Sequence, residues 1–336
     1  MAKLVITNGD SAVTRLQAGG VAGHFLPWRD MLHDGPVPAS RSLAIVADTR
    51  AEFLAEAFGL PFDSVRADFA ERDGQLEIHI AFREVELWFE HDLYDQLQLI
   101  QLLDYFAHEP DRHGVRLIQA ADYLGTLAPE AITTLAESSV PVSSLQLETA
   151  REAWAAFTAP TPKALAALAG RAHGALPFLA PALRRALAEL PAPYTGLSLT
   201  EERILHCLAE GPRKAHEVFT AVHRQEDAQF LADLPFFLRL DGLAFAHEPL
   251  IQGLPFPSSE CKAFDPARTQ PQGHEISYHA FAGSSLTLTR AGAAALKGQF
   301  DHASENALDR WLGGTHIHPG SMWRYDRSRR VLVEPN

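Results

Sequence analysis

Apolar positions along the chain gather into short runs that stop abruptly at polar clusters. Leu4-Val5-Ile6-Thr7 is the first, a β-branched run that predicts a strand. Asn8-Gly9-Asp10-Ser11 follows, and apolar residues then recur at helical spacing through Gln17. Residues 24–28 predict a second strand, running into Arg29-Asp30 and His33-Asp34-Gly35-Pro36. Helices are expected over 42–58 and from Phe62 to Asp73, whereas 76–82 fits either helix or strand. Val85–Phe89 predicts a third, buried strand, followed by Glu90-His91-Asp92 and a helix from Leu93 to Leu103. Residues 115–120 predict a fourth, ending in Ala121-Asp122-Tyr123.

Four strands therefore each end in polar chemistry and lead toward a helix. In a parallel sheet with helical crossovers those ends share one edge, where ligands bind in open α/β sheets. The expected fold class is α/β: a Rossmann-like, mostly parallel sheet with helices on both faces. From Pro129 to about Leu190 the chain is rich in Ala and Leu, punctuated by prolines, and predicts three or four helices. Pro191-Ala192-Pro193 reads as a linker. Ser198-Leu199-Thr200-Glu201 is a capping-box pattern. Helices over 202–209, 214–222 and 227–240, with strands at 242–245 and 286–289, predict a winged-helix-like module. Residues 253–283 predict a long loop, and helices are expected near 290–297 and 303–312. The expected domains are 1–127, a helical connecting region 128–193, and a C-terminal module 194–336.

The 336 residues suffice for a sizeable core, and 46% hydrophobic with 21% charged residues excludes wholesale disorder. A formal net charge of -13 argues against a general nucleic-acid coater, so nucleic acid is not the expected partner. Two cysteines, Cys207 and Cys261, supply neither a disulfide framework nor a multi-cysteine zinc site. The N-terminus meets a turn too early for a signal peptide, and no apolar run spans a bilayer. A cytoplasmic protein without a membrane partner is expected, and homo-oligomerisation stays open.

Three blocks carry a resemblance: Ile6 to Ala12, Trp28 to Pro38, and Leu87 to Leu97. They are similar to a bacterial family defined as the domain of unknown function numbered eighteen thirty-five. Asp309 to His316 and Trp323 to Asp326 resemble the end of its longer members. The resemblance implies a shared domain over the first third of the chain and brings no activity with it.

Asn8-Gly9-Asp10-Ser11 reads as a capped helix start, with Asp10 or Ser11 as the cap, as a ligand-contacting turn, or as the serine block of a Gly-Asp-Ser hydrolase. Asp30-Met31-Leu32-His33 has an Asp-x-x-His spacing, but hydrolases of that kind place it near the end of the domain. His33-Asp34-Gly35-Pro36 reads equally as a turn and as a loop whose His could move protons near neutral pH. Asp92 suits a helix N-cap, with Asp95 favourable in the first turn, which leaves Glu90 and His91 to be explained.

His33, Asp34, Glu90 and His91 are the catalytic candidates. Asn8, Gly9, Asp10, Ser11, Trp28, Asp92 and Gln96 are the ligand-binding candidates. Asp10, Asp34, Glu90 and Asp92 could hold a divalent metal ion through oxygens, although no tight metal-ligand motif is present. Gly9 and Gly35 would permit a phosphate to approach the backbone. His316-Ile317-His318 with Trp311 and Trp323 predicts either a strand packing its aromatics or a lid. No dinucleotide or Walker fingerprint is found. The expected function is a hydrolase or group transferase acting on a small polar or phosphorylated molecule. The rival is a ligand-sensing regulatory or interaction protein. Specific DNA binding is disfavoured because the third helix of the C-terminal module begins with acidic residues.

Overall fold

The computed structural model describes residues 3–110, 114–261 and 272–335, and only the backbone over 272–276. It divides into two compact units, residues 1–33, 37–48 and 66–185, and residues 34–36, 49–65 and 186–336.

The first unit is built on a five-stranded sheet. Its elements are β1 (Lys3–Thr7), α1 (Asp10–Ala18), β2 (His24–Pro27), the start of α2 (Leu43–Phe58), α3 (Phe62–Glu77), β3 (Glu84–Phe89), α4 (Leu93–His108), β4 (Val115–Gln119), α5 (Pro129–Ala136), β5 (Val140–Pro141), α6 (Ser144–Phe157), α7 (Lys163–Ala169) and α8 (Leu179–Leu187). The strand order is β2-β1-β3-β4-β5. The first four strands are parallel, and β5 pairs antiparallel to β4. The polar segments after β1 to β4 thus leave the sheet at one edge.

Register explains the layering. Thr7 lies opposite Trp88, and Trp88 opposite Ile118. Val5, Trp88 and Ile118 pack with Ala12 and Leu16 of α1 and Ile132 of α5. The alternate positions Leu4, Ile6, Leu87, Phe89 and Leu117 are buried as well. Strands apolar on both sides cannot face water, as in any sheet covered on both faces. Each fully buried Leu or Ile contributes about 1.5–3 kcal/mol, so Ile6→Ala would be felt throughout the sheet. The outer strands end the sheet with proline: Pro27 closes β2, and Pro141 sits in β5.

Helix α4 begins at Asp92, whose carboxylate accepts from the Asp95 N–H at 3.2 Å. It packs on α6 and is buried on nearly every side. Asp95, Gln98 and Gln101 form its polar line, and each fastens a strand end. Asn8 Nδ2 donates to Asp95 Oδ2 (2.8 Å), Gln98 Nε2 to the Asp30 carbonyl (3.0 Å), and Trp28 Nε1 to Gln101 Oε1 (2.8 Å). Buried polar side chains seek partners within the fold, and with these three α4 clasps the chain just after β1 and β2.

The second unit contains α9 (Leu199–Ala209), β6 (Arg213–Lys214), α10 (Ala215–His223), α11 (Asp233–Ala244), β7 (Ile251–Gln252), α12 (Gln272–Ala282), β8 (Ser285–Leu288), α13 (Arg290–Leu296), α14 (His302–Glu305) and the strands β9 (Arg310–Leu312), β10 (Thr315–Ile317), β11 (Arg324–Asp326) and β12 (Val331–Val333). A three-stranded sheet is ordered β6-β8-β7, and β9/β10 and β11/β12 are antiparallel pairs. The capping box at Ser198 and Glu201 forms as expected.

Several local expectations are corrected here. The helix expected over 227–240 starts at Asp233 and runs through 242–244, because Phe236, Phe237, Leu240 and Leu243 continue its buried face. The expected strand at 242–245 does not form, and Ile251–Gln252 pairs with β8 instead. The expected loop over 253–283 contains a 3-10 turn (Ser258–Cys261) and α12, while 262–271 lies outside the described residues. The helix expected over 303–312 stops at Glu305. Leu312 pairs with Thr315 across Gly313-Gly314, with Gly313 at φ 58, a two-residue hairpin turn that residues with φ > 0 favour. Neither Asp10 nor Ser11 caps α1: the N-cap is Gly9, and no side-chain cap bond forms.

Candidate acidic site at the β3–α4 junction

Where β3 ends and α4 begins, Glu90, Asp92 and Asp95 place one carboxylate oxygen each within 4.8 Å of one another. They are 5%, 3% and 1% exposed. Asp95 is the keystone: its Oδ1 accepts from the Glu90 N–H (2.7 Å) and its Oδ2 from Asn8. Glu90 Oε1 accepts from the Leu124 N–H (2.7 Å), which brings in the segment after β4. Tyr94 OH donates to the Asn8 carbonyl (3.2 Å). Three strand ends are therefore tied to a single acidic cluster.

Two unit charges about 4.8 Å apart repel by roughly 3–4 kcal/mol at an effective dielectric near 20. Among the described residues no Lys or Arg forms an ion pair with these three acids. Burial and the Asp92 charge push the Glu90 carboxyl up to about 7, and burial pushes Asp92 up to about 6. Burial, reinforced by Asp92 and Glu90, holds Asp95 well above the usual carboxylate range. The cluster therefore requires neutralisation, by protons or by a cation.

Other buried polar atoms around this edge lack partners. Thr7 Oγ1 stands at the end of β1, His91 Nδ1 just after β3, Gln96 Oε1 in α4, and Gln119 Oε1 at the end of β4. Gln96 is anchored through Nε2 to the Glu90 carbonyl (2.6 Å), leaving its own carbonyl oxygen without a donor. The His91 ring lies 5.1 Å from Tyr123 and 5.9 Å from Phe178, centre to centre. Burial lowers its pKa, against the pull of Asp122.

The other candidates occupy different surroundings. Asp10 is exposed and ion-paired with Arg29 (2.6 Å), whose guanidinium holds its carboxyl below the usual range. Ser11 is exposed on α1, and Gly9 supplies the helix N-cap. Trp28 is fully buried, with the Arg72 guanidinium 3.9 Å above its ring. His33 is buried edge-on to Tyr94, 6.0 Å between ring centres. Asp34 belongs to the second unit, where it pairs with Arg239 and its carbonyl accepts from Arg50. Of the four acids expected to supply oxygens, Glu90 and Asp92 lie together among the described residues, and Asp95 joins them. Trp311 and His316, on paired strands β9 and β10, stack at 4.3 Å.

No family model matches the chain, and no curated protein matches it. Among solved structures it is similar to the crystal structure of the Plasmodium falciparum topoisomerase II DNA-binding, cleavage and re-ligation domain, with a TM-score of 0.42 and 9% identity. That match covers 99% of this chain, which spans about half (54%) of the other chain. Among the described residues no helix is long and apolar enough to cross a membrane.

Proposed function

We propose that the protein is a hydrolase or group transferase that takes a small polar or phosphorylated molecule at the carboxyl ends of β1, β3 and β4. The observation that carries this reading is the set of buried polar atoms without partners at that edge: Thr7 Oγ1, His91 Nδ1, Gln96 Oε1 and Gln119 Oε1. Buried polar groups are normally satisfied, and a polar ligand would satisfy these together. The parallel β2-β1-β3-β4 order supports a Rossmann-like reading of this unit, whose ligands bind at that edge. In this reading His91 exchanges protons with the substrate, Asn8 and Gln96 position it, and Glu90, Asp92 and Asp95 supply the negative field around it. His33, beside Tyr94, is the second proton-transfer candidate.

Helices α9 to α11, followed by β7 and β8, support a winged-helix-like reading of the second unit. A partner-contacting role there is compatible with catalysis in the first unit.

The test is a turnover screen of the full chain with phosphate monoesters, carboxylate esters and nucleotides, starting with p-nitrophenyl phosphate. Turnover is expected in the wild type and is lost in His91→Gln with the melting temperature retained. Absence of turnover on every class sinks the enzyme reading, and unchanged turnover in His91→Gln sinks the assignment of His91.

A further inference from the structure

We propose that Glu90, Asp92 and Asp95, with the carbonyl oxygen of Gln96, bind one divalent cation of the magnesium, manganese or calcium class. The ligand chemistry is uniform: three carboxylates and one amide carbonyl, the hard oxygens such ions prefer. The spacing also fits. Oxygens about 2.1–2.5 Å from a common ion lie at most about 4–5 Å from each other, and the three carboxylate oxygens fall within 4.8 Å.

The second, independent observation is Gln96. It is fully buried, one helical turn beyond Asp92, and its amide nitrogen is fixed to the carbonyl of Glu90. Its oxygen has no donor. A cation accepts what no neighbouring N–H supplies. The hydrogen bonds already made do not block it, because a carboxylate oxygen has a lone pair left after accepting once.

This inference rests on the same junction as the proposed function and adds the ion that would orient and polarise a substrate oxygen there. Cation binding and turnover are nevertheless separate measurements.

The full chain, stripped with chelator, is titrated with Mn2+ while free Mn2+ is followed by electron paramagnetic resonance; Mg2+ and Ca2+ are then added as competitors. One saturable Mn2+ per chain is expected, filled below about 1 mM, the weak end for oxygen sites. Glu90→Gln and Asp92→Asn keep an acceptor for the Leu124 and Asp95 N–H groups, and melting curves verify that both remain folded. Each should weaken Mn2+ binding about tenfold or more, at least the loss seen on removing a metal's outer-sphere partner. Gln96→Met, which keeps the volume and removes the carbonyl, should weaken it less but measurably. No saturable uptake by the wild type, or uptake that E90Q and D92N leave unchanged, overturns the site and leaves proton sharing as the neutralising device. Mn2+ uptake without turnover keeps the cation site and discards the enzyme. Turnover in a chain that shows no saturable Mn2+ uptake does the reverse.

Discussion

Asn8 and Asp95, 87 positions apart in sequence, meet in a 2.8 Å hydrogen bond that ties the end of β1 to the first turn of α4. Asp95 also receives the Glu90 N–H, so a single carboxylate fixes two strand ends against one helix. Asn8→Ala removes one donor and leaves a buried oxygen with less support. A loss of about 1–3 kcal/mol is expected, read from urea unfolding at neutral pH. A loss within error would mean that the clasp is not needed to hold β1 in place.

Asp92 acts at once as helix cap and as cluster charge, and two substitutions separate these roles. Asp92→Asn keeps a capping oxygen and removes a repelling charge; Asp92→Ala removes both. In chelator-containing buffer, Asn should therefore exceed Ala in stability by about 1 kcal/mol, the usual worth of a cap. It should also melt above the wild type. Thermal unfolding of the three chains measures the order, and an Asn variant melting below the wild type would contradict the repulsion.

Glu201, buried in α9, pairs with Arg310 of β9 (2.5 Å) and lies 3.9 Å from His302 Nε2. Burial pushes its pKa up, but the charges of Arg310 and His302 outweigh that and leave it lowered. A lowered carboxyl binds fewer protons folded than unfolded. Its stabilisation is therefore complete above the unfolded carboxyl pKa and disappears as pH falls through the folded value. Arg310→Met strands the buried carboxylate and should cost about 3–5 kcal/mol at neutral pH. The deficit should narrow as pH falls and the acid is protonated, and stability measured across the acid range gives the slope. A deficit constant with pH would assign the loss to packing.

Gly35 has φ 74, and a methyl group there would meet the Phe53 ring at 2.4 Å. Gly35→Ala therefore combines a strained backbone with a ring that must move, at a cost of about 1–3 kcal/mol. Equilibrium unfolding measures it, and a neutral result would show that this loop relaxes freely.

Much of the first unit was legible in sequence because β1 to β4 are short apolar runs cut off by polar residues, whereas the two-residue β5, inside a stretch expected to be helical, was not. Asp92 announced its cap, and the parallel order follows from strands alternating with helices. Asp95 was harder to recognise. Three residues after an N-cap, an acid reads as a favourable first-turn charge, and only tertiary packing makes it the centre of a cluster. One signal was present: Asp95, Gln96, Gln98 and Gln101 are isolated polar residues in a helix whose other positions from Leu97 to Leu103 are all Leu or Ile. A helix that apolar is buried, so its polar residues must find partners within the fold. In the second unit the Gly313-Gly314 turn was such a cue for β9 and β10. The pairing of Arg213-Lys214 with Leu286 and Ser285 joins segments too short and too distant in sequence to announce it.

Proline at the two margins of the main sheet has a consequence for how copies of the chain can associate. The Trp28 N–H points inward to Thr7, and the Val142 N–H points inward to Val115. Their neighbours Pro27 and Pro141 are therefore the positions whose amides would face outward, and proline has none. An incoming strand finds no donor where its first contacts would form. Ribbon growth by joining copies of this five-stranded sheet edge to edge is thereby discouraged at both of its margins.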